Sequence, residues 1–455
     1  MYDLLIKGGL LVGDSGILAA DIAVHDGRIT AIAPQIEPSL TQRTIDASGL
    51  HILPGGIDPH VHAGDLAWAH REDFAGVTAA AAAGGITTML EMPQNDPPVI
   101  DPASFATKRA AVRNRSRIDT GLWGGLVPDN LEQLEPLWEQ GAFAFKAFMV
   151  AAKDIAWVDD DTLRAGMARI ARFGGLIGIH CESNAIVQAA ITRLRASGRS
   201  DRRVHLETRS PEAEIDAVER VLRFAEATGV RLHICHLSLG SLLDSITAAR
   251  RKGVDVSVET CPHYLALCDE DYLRIGPDAK CVPPPRTADE REALWRGIAA
   301  GEIDMVVSDN APHPLEDKRR GDHDVWAAPN GIQSIQLTLP ILLTEGLHAR
   351  KIALERIAEV FSTGAAKRFG LYPDKGSLRV GSCADLAIID LEREWVFQPD
   401  DLISKHRVSP YFDYRIKGRV EMTILSGEVI FEHQTVTATP GAGRFLPRNG
   451  VSVDN

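Results

Sequence analysis

The stretch GGIDPHVH, residues 55–62, reads as a short strand that ends in two histidines. Side chains at positions i and i+2 leave a strand on the same face, so the imidazoles of His60 and His62 converge on one point. Four further polar residues lie at or just beyond the ends of apolar, strand-like runs (142–148, 175–179, 231–235 and 304–308): Lys146, His180, His236 and Asp309. Helical stretches separate these runs. Polar groups at the ends of successive strands are typical of an active site at the mouth of an α/β fold, the (β/α)8 TIM-type barrel.

These residue types can hold divalent metals, although each also has a plainer interpretation. The chain has 15 histidines, and most single histidines are surface residues or satisfied core residues. Lys146 lies in the run Phe145–Phe148, where burying an unpaired ammonium is costly. A protonated lysine has no lone pair for a metal, but its carbamate, formed with carbon dioxide, is an anionic ligand similar to a carboxylate. Spacing alone does not reveal that modification.

The chain resembles the cyclic amidohydrolases of the amidohydrolase superfamily, which include allantoinases, hydantoinases, dihydropyrimidinases and dihydroorotases. The segments that carry the resemblance run almost from end to end: PGGIDPHVH (54–62), GGITTMLEMPQN (84–95), LWGGLVP (122–128), GAFAFKAFM (141–149), HICHLS (233–238), ETCPHYL (259–265), KCVPPPR (280–286) and SDNAPH (308–313). The resemblance is closest overall to allantoinases. It implies six ligands for two divalent metals: His60, His62, Lys146 as N6-carboxylysine, His180, His236 and Asp309. Zinc is the default expectation, and manganese, cobalt or iron would also suit this set of nitrogen and oxygen donors.

The resemblance also implies the chemistry of a ring-amide hydrolase. A water held between two divalent cations loses its proton easily and attacks the ring carbonyl, which one cation polarises. Asp309 is expected to act as the general base and then the general acid, taking that proton and passing it to the departing ring nitrogen. The plainer roles of Asp309 are a metal ligand alone, or a helix N-cap within the run Ser-Asp-Asn.

The expected substrate pocket combines features of several subfamilies. The segments LWGGLVP, MPQN, KCVPPPR and HREDF (70–74) are allantoinase-like. His313 resembles a residue that helps dihydroorotases hold a carboxylate, whereas Asn330 resembles a residue whose backbone meets the ring imide in hydantoinases and dihydropyrimidinases. The backbone near Val282 is the expected partner of Asn330 across the ring, and the side chain of Asn95 is a further candidate contact.

Departures from these subfamilies narrow the substrate. Gly64 stands where dihydroorotases place an arginine that grips the carboxylate, which disfavours a dihydroorotase. Ala151 replaces an oxyanion-binding tyrosine of hydantoinases, and the segment 65–67 and Asn310 depart from allantoinases. We therefore expect a cyclic ureide or imide substrate, allantoin-like first and hydantoin or dihydropyrimidine second. A non-catalytic relative is disfavoured because all six ligand positions are kept. A lactonase or phosphotriesterase is disfavoured because that group lacks ETCPHYL and WGGLVP.

Both ends of the chain are rich in short β-type runs, and strands alternate with helices between them. We predict that residues 1–53 form the N-terminal part of a small β-sandwich, 54–370 the barrel, and 371–455 the rest of the sandwich and an extended tail. A separate C-terminal β-domain is the alternative. The tail from residue 435 is rich in Gly, Pro and Thr, and we expect it to pack on a neighbouring subunit or to fray.

The composition indicates an intracellular enzyme. A net charge of −13 argues against a nucleic-acid partner, whose phosphates demand clustered lysine and arginine. No apolar run reaches the ~18 residues of a membrane span, and the N-terminus lacks a signal-peptide pattern. The 6 cysteines show no C-x-x-C spacing and indicate buried thiols in a reducing compartment. We therefore expect a cytoplasmic enzyme with a small-molecule substrate and no membrane partner, and the resemblance implies a homo-oligomer, either a tetramer or a dimer.

Overall fold

The computed structural model describes residues 1–13 and 16–451, and its strands form a barrel and a second sheet to which both termini contribute. The strands are β1 (Tyr2–Gly13), β2 (Gly16–His25), β3 (Arg28–Ala33), β4 (Thr41–Asp46), β5 (His51–Pro54), β6 (Gly56–Val61), β7 (Ile86–Glu91), β8 (Asp119–Leu122), β9 (Gly124–Gly125), β10 (Phe145–Phe148), β11 (Leu176–His180), β12 (Arg231–Ile234), β13 (Val256–Thr260), β14 (Met305–Val306), β15 (Leu386–Val396), β16 (Arg415–Leu425), β17 (Glu428–Glu432) and β18 (Thr435–Val436).

Helices fill most of the connections between the barrel strands. The α-helices are α1 (Phe74–Ala83), α2 (Pro102–Arg115), α3 (Leu134–Glu139), α4 (Asp160–Arg172), α5 (Asn184–Ala196), α6 (Arg203–Thr208), α7 (Pro211–Thr228), α8 (Leu243–Arg251), α9 (Pro262–Ala266), α10 (Asp269–Ile275), α11 (Ala288–Ala300), α12 (Leu315–Arg319), α13 (Thr338–Ile341), α14 (Leu354–Ala358) and α15 (Gly364–Arg368). The π-helical segments Leu342–Ala349 and Glu359–Thr363 continue α13 and α14. Short 3₁₀ turns occupy Pro38–Leu40, Leu66–Trp68, Leu131–Gln133, Gly240–Leu242, Pro277–Ala279, Arg320–Asp322 and Ile335–Leu337.

The strands β6 to β14 form a closed parallel barrel. Strands β6, β7 and β8 pair in that order, and β9 to β14 pair in chain order. Only Trp123 separates β8 from β9, so these two are parts of one barrel strand, and the described residues contain eight barrel strands. The barrel closes where Val61 pairs with Asn310, and the backbone N–H of His62 donates to the carbonyl of Asn310 at 2.9 Å. The predicted (β/α)8 architecture is confirmed.

Local sequence explains why these segments alternate. The strand Phe145–Phe148 is buried along its whole length, as expected for a parallel strand that helices cover on one face and the barrel interior on the other. The helix that follows, α4, begins where the side chain of Asp159 accepts from the N–H of Thr162 at 2.8 Å, an N-cap. In the part of the chain that the structure describes, no helix has both the length and the apolar character needed to cross a membrane.

A nine-stranded sheet joins the two ends of the chain. Its order is β18-β17-β16-β15-β5-β1-β2-β3, and β4 pairs with β1. The N-terminal strand β5 lies between β1, to which it is parallel, and the C-terminal strand β15, to which it is antiparallel. Ile6, Ile22, Leu386 and Ile424 are buried in one cluster drawn from both ends. The prediction of a β-sandwich shared by both termini is confirmed, and the alternative of a separate C-terminal domain is wrong. The predicted boundaries at 53/54 and 370/371 stay predictions.

The C-terminal tail, as far as the structure describes it, packs on the barrel of its own chain and does not fray there, while packing on a neighbouring subunit stays a prediction. The backbone N–H of Thr120 donates to the carbonyl of Arg444 at 2.9 Å, and Leu446 donates to the carbonyl of Thr120 at 2.9 Å. Gly443 donates to the carbonyl of Ser116 at 3.0 Å. Backbone groups at the start of β8 are therefore satisfied by the tail as if it were an added strand.

Candidate active site

Six predicted site residues meet at the mouth of the barrel. His60 lies in β6 and His62 directly follows it, while Lys146 lies in β10 and His180 ends β11. His236 and Asp309 follow β12 and β14. The carboxyl ends of parallel barrel strands open on one face, so residues distant in sequence line one cavity there.

The distances between these side chains are short. Asp309 Oδ1 lies 3.3 Å from His60 Nε2 and 3.2 Å from His62 Nε2. His180 Nδ1 and His236 Nε2 are 3.0 Å apart, and Lys146 Nζ is 3.5 Å from His60 Nε2. All six predicted ligands therefore point their donor atoms into one small region.

The backbone is strained at two of these residues. His236 has φ 38° and Asp309 has φ 45°, values in the left-handed region that residues with a side chain adopt rarely. Such strain persists only where the surrounding structure imposes it, and it concentrates at functional sites. The strain is therefore a second argument for a functional role of both residues, in addition to their location after a strand.

Two buried carboxylates orient the imidazoles, and the sequence did not single out either one. Glu259 lies in β13 and accepts from His60 Nδ1, while Glu182 lies 2.6 Å from His180 Nε2. The nitrogen beside each carboxylate carries the proton, so the opposite ring nitrogen, which faces the cavity, keeps its lone pair. Arg209 forms an ion pair with Glu182 and completes that chain of contacts.

Glu259 contacts three histidines, His60, His233 and His236. Its Oε1 also accepts from the backbone N–H of His236 at 3.1 Å, and its Oε2 lies 2.9 Å from His233 Nε2. The signal that could have found it is a carboxylate inside the strand-like run VSVET of β13, at the start of ETCPHYL. A buried charge needs partners, and here histidines from two elements supply them.

Burial favours the neutral form of three site histidines, His60, His180 and His236. Desolvation is the main cause that lowers the pKa of His60 to about 4, and it also lowers the pKa of His180 and of His236. For Asp309, burial would raise the pKa, but the neighbouring His60 and His62 outweigh it and lower the pKa to about 2. At neutral pH the site therefore presents imidazole lone pairs and one carboxylate, which are the forms that bind metals.

Lys146 is buried without a carboxylate partner among the described residues. Its side chain is fully buried in β10. Its Nζ lies 3.5 Å from Nε2 of His60 and 5.3 Å from the ring centroid of Phe148. An ammonium in this position would face imidazoles that cannot neutralise it, which is costly in a buried site.

The cavity also brings together three of the four predicted substrate contacts. Val282, His313 and Asn330 line it, and His313 Nε2 lies 2.9 Å from the carbonyl of Asn330. Burial is the largest cause that lowers the pKa of His313 to about 3, so this ring is neutral and donates to that carbonyl.

Asn95, the fourth predicted substrate contact, does not line the cavity. Its amide donates to the carbonyl of Gly64 at 2.6 Å and accepts from the N–H of Asp96 at 2.7 Å. These bonds hold the loop after His62 in place. The adjacent side chain, Gln94, lines the cavity instead.

Two buried lysines hold the wall that carries Val282 and Asn330. Lys318 donates to the carbonyl of Gly331 at 2.5 Å, and Lys280 donates to two backbone carbonyls at 2.7 and 2.6 Å. Burial is the main cause that lowers the pKa of Lys280 to about 7 and that of Lys318 to about 8. The wall is thus fixed by side chains outside the cavity, which keeps its backbone groups in one place.

Comparisons with known proteins agree with this geometry. A family model described as "Amidohydrolase family" matches residues 51–430. The allantoinase of Rubrobacter xylanophilus is 42% identical over 98% of this chain and 97% of its own length. The L-hydantoinase of Paenarthrobacter aurescens is 36% identical, with 98% of each chain covered. The solved structure of an L-hydantoinase (dihydropyrimidinase) from Arthrobacter aurescens has a TM-score of 0.96 and 36% identity, covering 98% of this chain and all of that one.

The family generally depends on a binuclear metal centre, and the donor set of this site fits such a centre. Ligand atoms of His60, His62 and Asp309 lie within 4.8 Å of one another. His180 Nδ1 and His236 Nε2 lie nearby, 3.0 Å from each other. The chain belongs to the amidohydrolase family and, within it, to the metal-dependent cyclic amidohydrolases, which hydrolyse ring carbon–nitrogen bonds.

Proposed function

We propose that this chain hydrolyses a ring amide bond of a cyclic ureide, with allantoin as the leading candidate substrate. The observation that carries the proposal is the pairing of two site histidines with buried carboxylates: Glu259 contacts Nδ1 of His60 and Glu182 contacts Nε2 of His180. This pairing directs the opposite ring nitrogens into the cavity, where they can serve as ligands. Allantoinases that align over nearly the whole chain support the choice of ring.

We assign the metal ligands to the six residues that converge at the floor of the cavity: His60, His62, Lys146, His180, His236 and Asp309. Their imidazole and carboxylate donors suit zinc, which we propose as the resident metal, and manganese, cobalt or iron would fit the same set. When bound, two divalent cations supply a Lewis acid for the carbonyl and a water of lowered pKa.

We further propose that Lys146 is carboxylated. The neutral amine adds to the carbon of carbon dioxide and releases one proton, which leaves a carbamate anion. Full burial, a distance of 3.5 Å to His60 Nε2 and the lack of a carboxylate partner within the described residues support this assignment. A carbamate would turn an uncompensated buried cation into an anionic ligand.

Asp309 is the proposed proton carrier. It is ionised at neutral pH and lies within 3.3 Å of two histidine nitrogens at the cavity floor. It takes the proton from the attacking water and gives it to the ring nitrogen when the amide bond breaks. The ring would be held by the backbone near Val282 and by Asn330, whose carbonyl accepts from His313 and retains a second lone pair for a ring N–H.

The pocket disfavours a carboxylated ring. Gly64 has φ 77°, and a Cβ built there would lie 2.6 Å from the carbonyl oxygen of Glu72. An arginine at that position would therefore require the loop to move. Unsubstituted hydantoin and dihydropyrimidine rings are the second candidate, and the likeness to the L-hydantoinase structure favours them.

A panel of rings tests the proposal on purified enzyme of measured metal content. The panel contains allantoin, hydantoin, dihydrouracil, dihydroorotate and phthalimide, with a lactone and a phosphotriester as outgroups. We expect the highest kcat/KM for allantoin and a kcat lower on the order of 100-fold or more for the Asp309→Asn variant. Turnover confined to the lactone or phosphotriester, or no turnover by metal-loaded enzyme, would contradict the proposal.

We also propose a homo-oligomer, a dimer or tetramer, in the cytoplasm. On β2, Ile17 and Leu18 are 46% and 55% exposed, which suits an interface between copies of the chain. The six cysteines are free thiols, of which five are buried, and a reducing compartment suits them. Light scattering coupled to gel filtration would measure the mass, and a monomer at micromolar concentration would contradict the oligomer.

A further inference from the structure

Four side chains at the outer end of the cavity have no part in the proposed chemistry. They come from the loops that follow β6, β7 and β10, and we name them the outer set: Trp68, Arg71, Gln94 and Asp154. They line the same cavity as the proposed metal ligands. The loops that carry them differ from the loops that carry Val282 and Asn330.

The polar groups of the outer set are positioned, and the two charged ones form only a loose ion pair. The guanidinium of Arg71 lies 4.4 Å from the centre of the Trp68 ring, which supports it from one side. Asp154 is 3.7 Å from Arg71 NH1, which is longer than a hydrogen bond. Within residues 1–13 and 16–451, neither side chain makes a hydrogen bond, and the buried Oε1 of Gln94 has no partner.

Exposure leaves both charges available to a ligand. The side chains of Arg71 and Asp154 are 25% and 36% exposed, so the loose pair between them contributes little to stability. A ligand group that enters between them loses no strong bond. It gains donors from Arg71, acceptors from Asp154 and both from the amide of Gln94.

The combination of donors and acceptors selects the chemistry of such a group. An anion would face the carboxylate of Asp154, and a cation would face the guanidinium of Arg71. An apolar group would leave three polar side chains without partners, which is unfavourable. A neutral, planar group with a carbonyl oxygen and N–H donors satisfies all of them.

We propose that the outer set is a subsite for a ureido or carboxamide substituent on the substrate ring. Arg71 donates to the carbonyl oxygen of the substituent, Asp154 accepts from its N–H groups, and Gln94 contacts whichever edge remains. This rests on the proposed function, since the ring itself would be held by the wall opposite and opened at the floor. Arg71, Asp154 and Gln94 are then specificity-determining residues that separate a ureido-substituted hydantoin, such as allantoin, from a bare or alkylated ring.

Three substrates and two variants test the subsite. The substrates are allantoin, hydantoin and a hydantoin with an isobutyl group in place of the ureido group. The variants are Arg71→Gln and Asp154→Asn, which keep approximate side-chain size and remove charge. The matched controls are Arg172→Gln and Asp129→Asn, which alter exposed residues outside the cavity.

We expect each test variant to lower kcat/KM for allantoin by about 10- to 100-fold, mostly through KM, because a hydrogen bond to a charged group is lost. Turnover of hydantoin should stay within about threefold of the wild type, and the preference for allantoin over the isobutyl ring should shrink. Both controls should match the wild type for all substrates.

Other outcomes overturn the inference in distinguishable ways. An equal loss on allantoin and hydantoin would show that Arg71 and Asp154 only support their loops. Unchanged kinetics on allantoin would show that they do not touch the substituent. A wild type that opens hydantoin but not allantoin would remove the subsite and leave a cyclic amidohydrolase. A metal-loaded wild type that opens no ring would remove the proposed function itself.

Discussion

At the floor of the cavity the functional side chains have fixed partners, whereas the charged side chains at its mouth have none within hydrogen-bond distance among the described residues. His60 is buried against Glu259, and His180 is buried against Glu182. Arg71 and Asp154 are partly exposed and 3.7 Å apart. The floor is organised before any ligand binds. At the outer end, the hydrogen-bonding groups of Arg71 and Asp154 are still available to a ligand.

The difference teaches how one barrel can keep a reaction and vary its substrate. Residues at strand ends are positioned by the sheet, and buried carboxylates fix their rings, so this part determines the chemistry. Residues in the loops after the strands are held more loosely, and they determine which substrate the outer end of the cavity accepts. Substitutions at the floor of the cavity should therefore affect every substrate, whereas substitutions in the outer set should affect only some substrates.

The largest expected effect comes from Lys146→Ala at the floor. Loss of the proposed carbamate should abolish metal occupancy and reduce kcat by at least about 1,000-fold for every ring. A short carboxylic acid added to the variant should restore part of the activity. Metal analysis and kinetics with each ring check this, with Lys252→Ala, at an exposed position directly after α8, as the control. Full activity of the alanine variant would contradict the role of Lys146.

Asp309→Asn should give the next largest loss. The amide cannot carry a proton, so kcat should fall on the order of 100-fold or more while substrate binding changes little. The measurement is kcat and KM on metal-replete variant, beside Asp129→Asn. A near-normal kcat would remove Asp309 from proton transfer.

A comparison of substrates sharpens the contrast between the two regions. Dihydroorotate should have a kcat/KM lower than that of allantoin by at least about 100-fold, because no arginine replaces Gly64 and a buried, unpaired carboxylate is strongly unfavourable. Arg71 does not rescue it, since Asp154 lies beside it. Both substrates must be assayed at the same metal content. Efficient turnover of dihydroorotate would overturn this interpretation of the pocket while leaving the floor intact.

The smallest of these effects is expected for Glu259→Gln. The glutamine no longer enforces the tautomer of His60, so metal affinity should weaken by about 10- to 100-fold while the fold persists. Metal titration against a competing chelator measures this. Glu316→Gln, at an exposed position of α12, is the control. Unaltered affinity would show that Glu259 is only a structural partner.

Much of this architecture could be predicted from the sequence because the relevant signals are local. An apolar run followed by a polar residue marks the end of a barrel strand, and that pattern located His180, His236 and Asp309. The carboxylates that pair with these histidines lie outside that pattern. Glu182 and Glu259 act through contacts made only in the folded chain, so neither could be assigned a role from spacing.

Two differences from expectation have the same physical origin. Asn95 and Gln94 are adjacent in a loop, where no period decides which side chain faces the cavity, and the structure places Gln94 there. The tail docks on β8 through backbone hydrogen bonds, including those of Thr120, and backbone groups are the same in every sequence. Its composition indicates an extended chain but not the surface it covers.

The most direct test of the central claim is a metal-loaded crystal structure at a resolution that defines the end of the Lys146 side chain, from enzyme with measured activity on allantoin. The account predicts about two metal ions per chain at the floor, bridged by a carbamate on Lys146. A free ammonium at Lys146 in active, metal-loaded enzyme would contradict it.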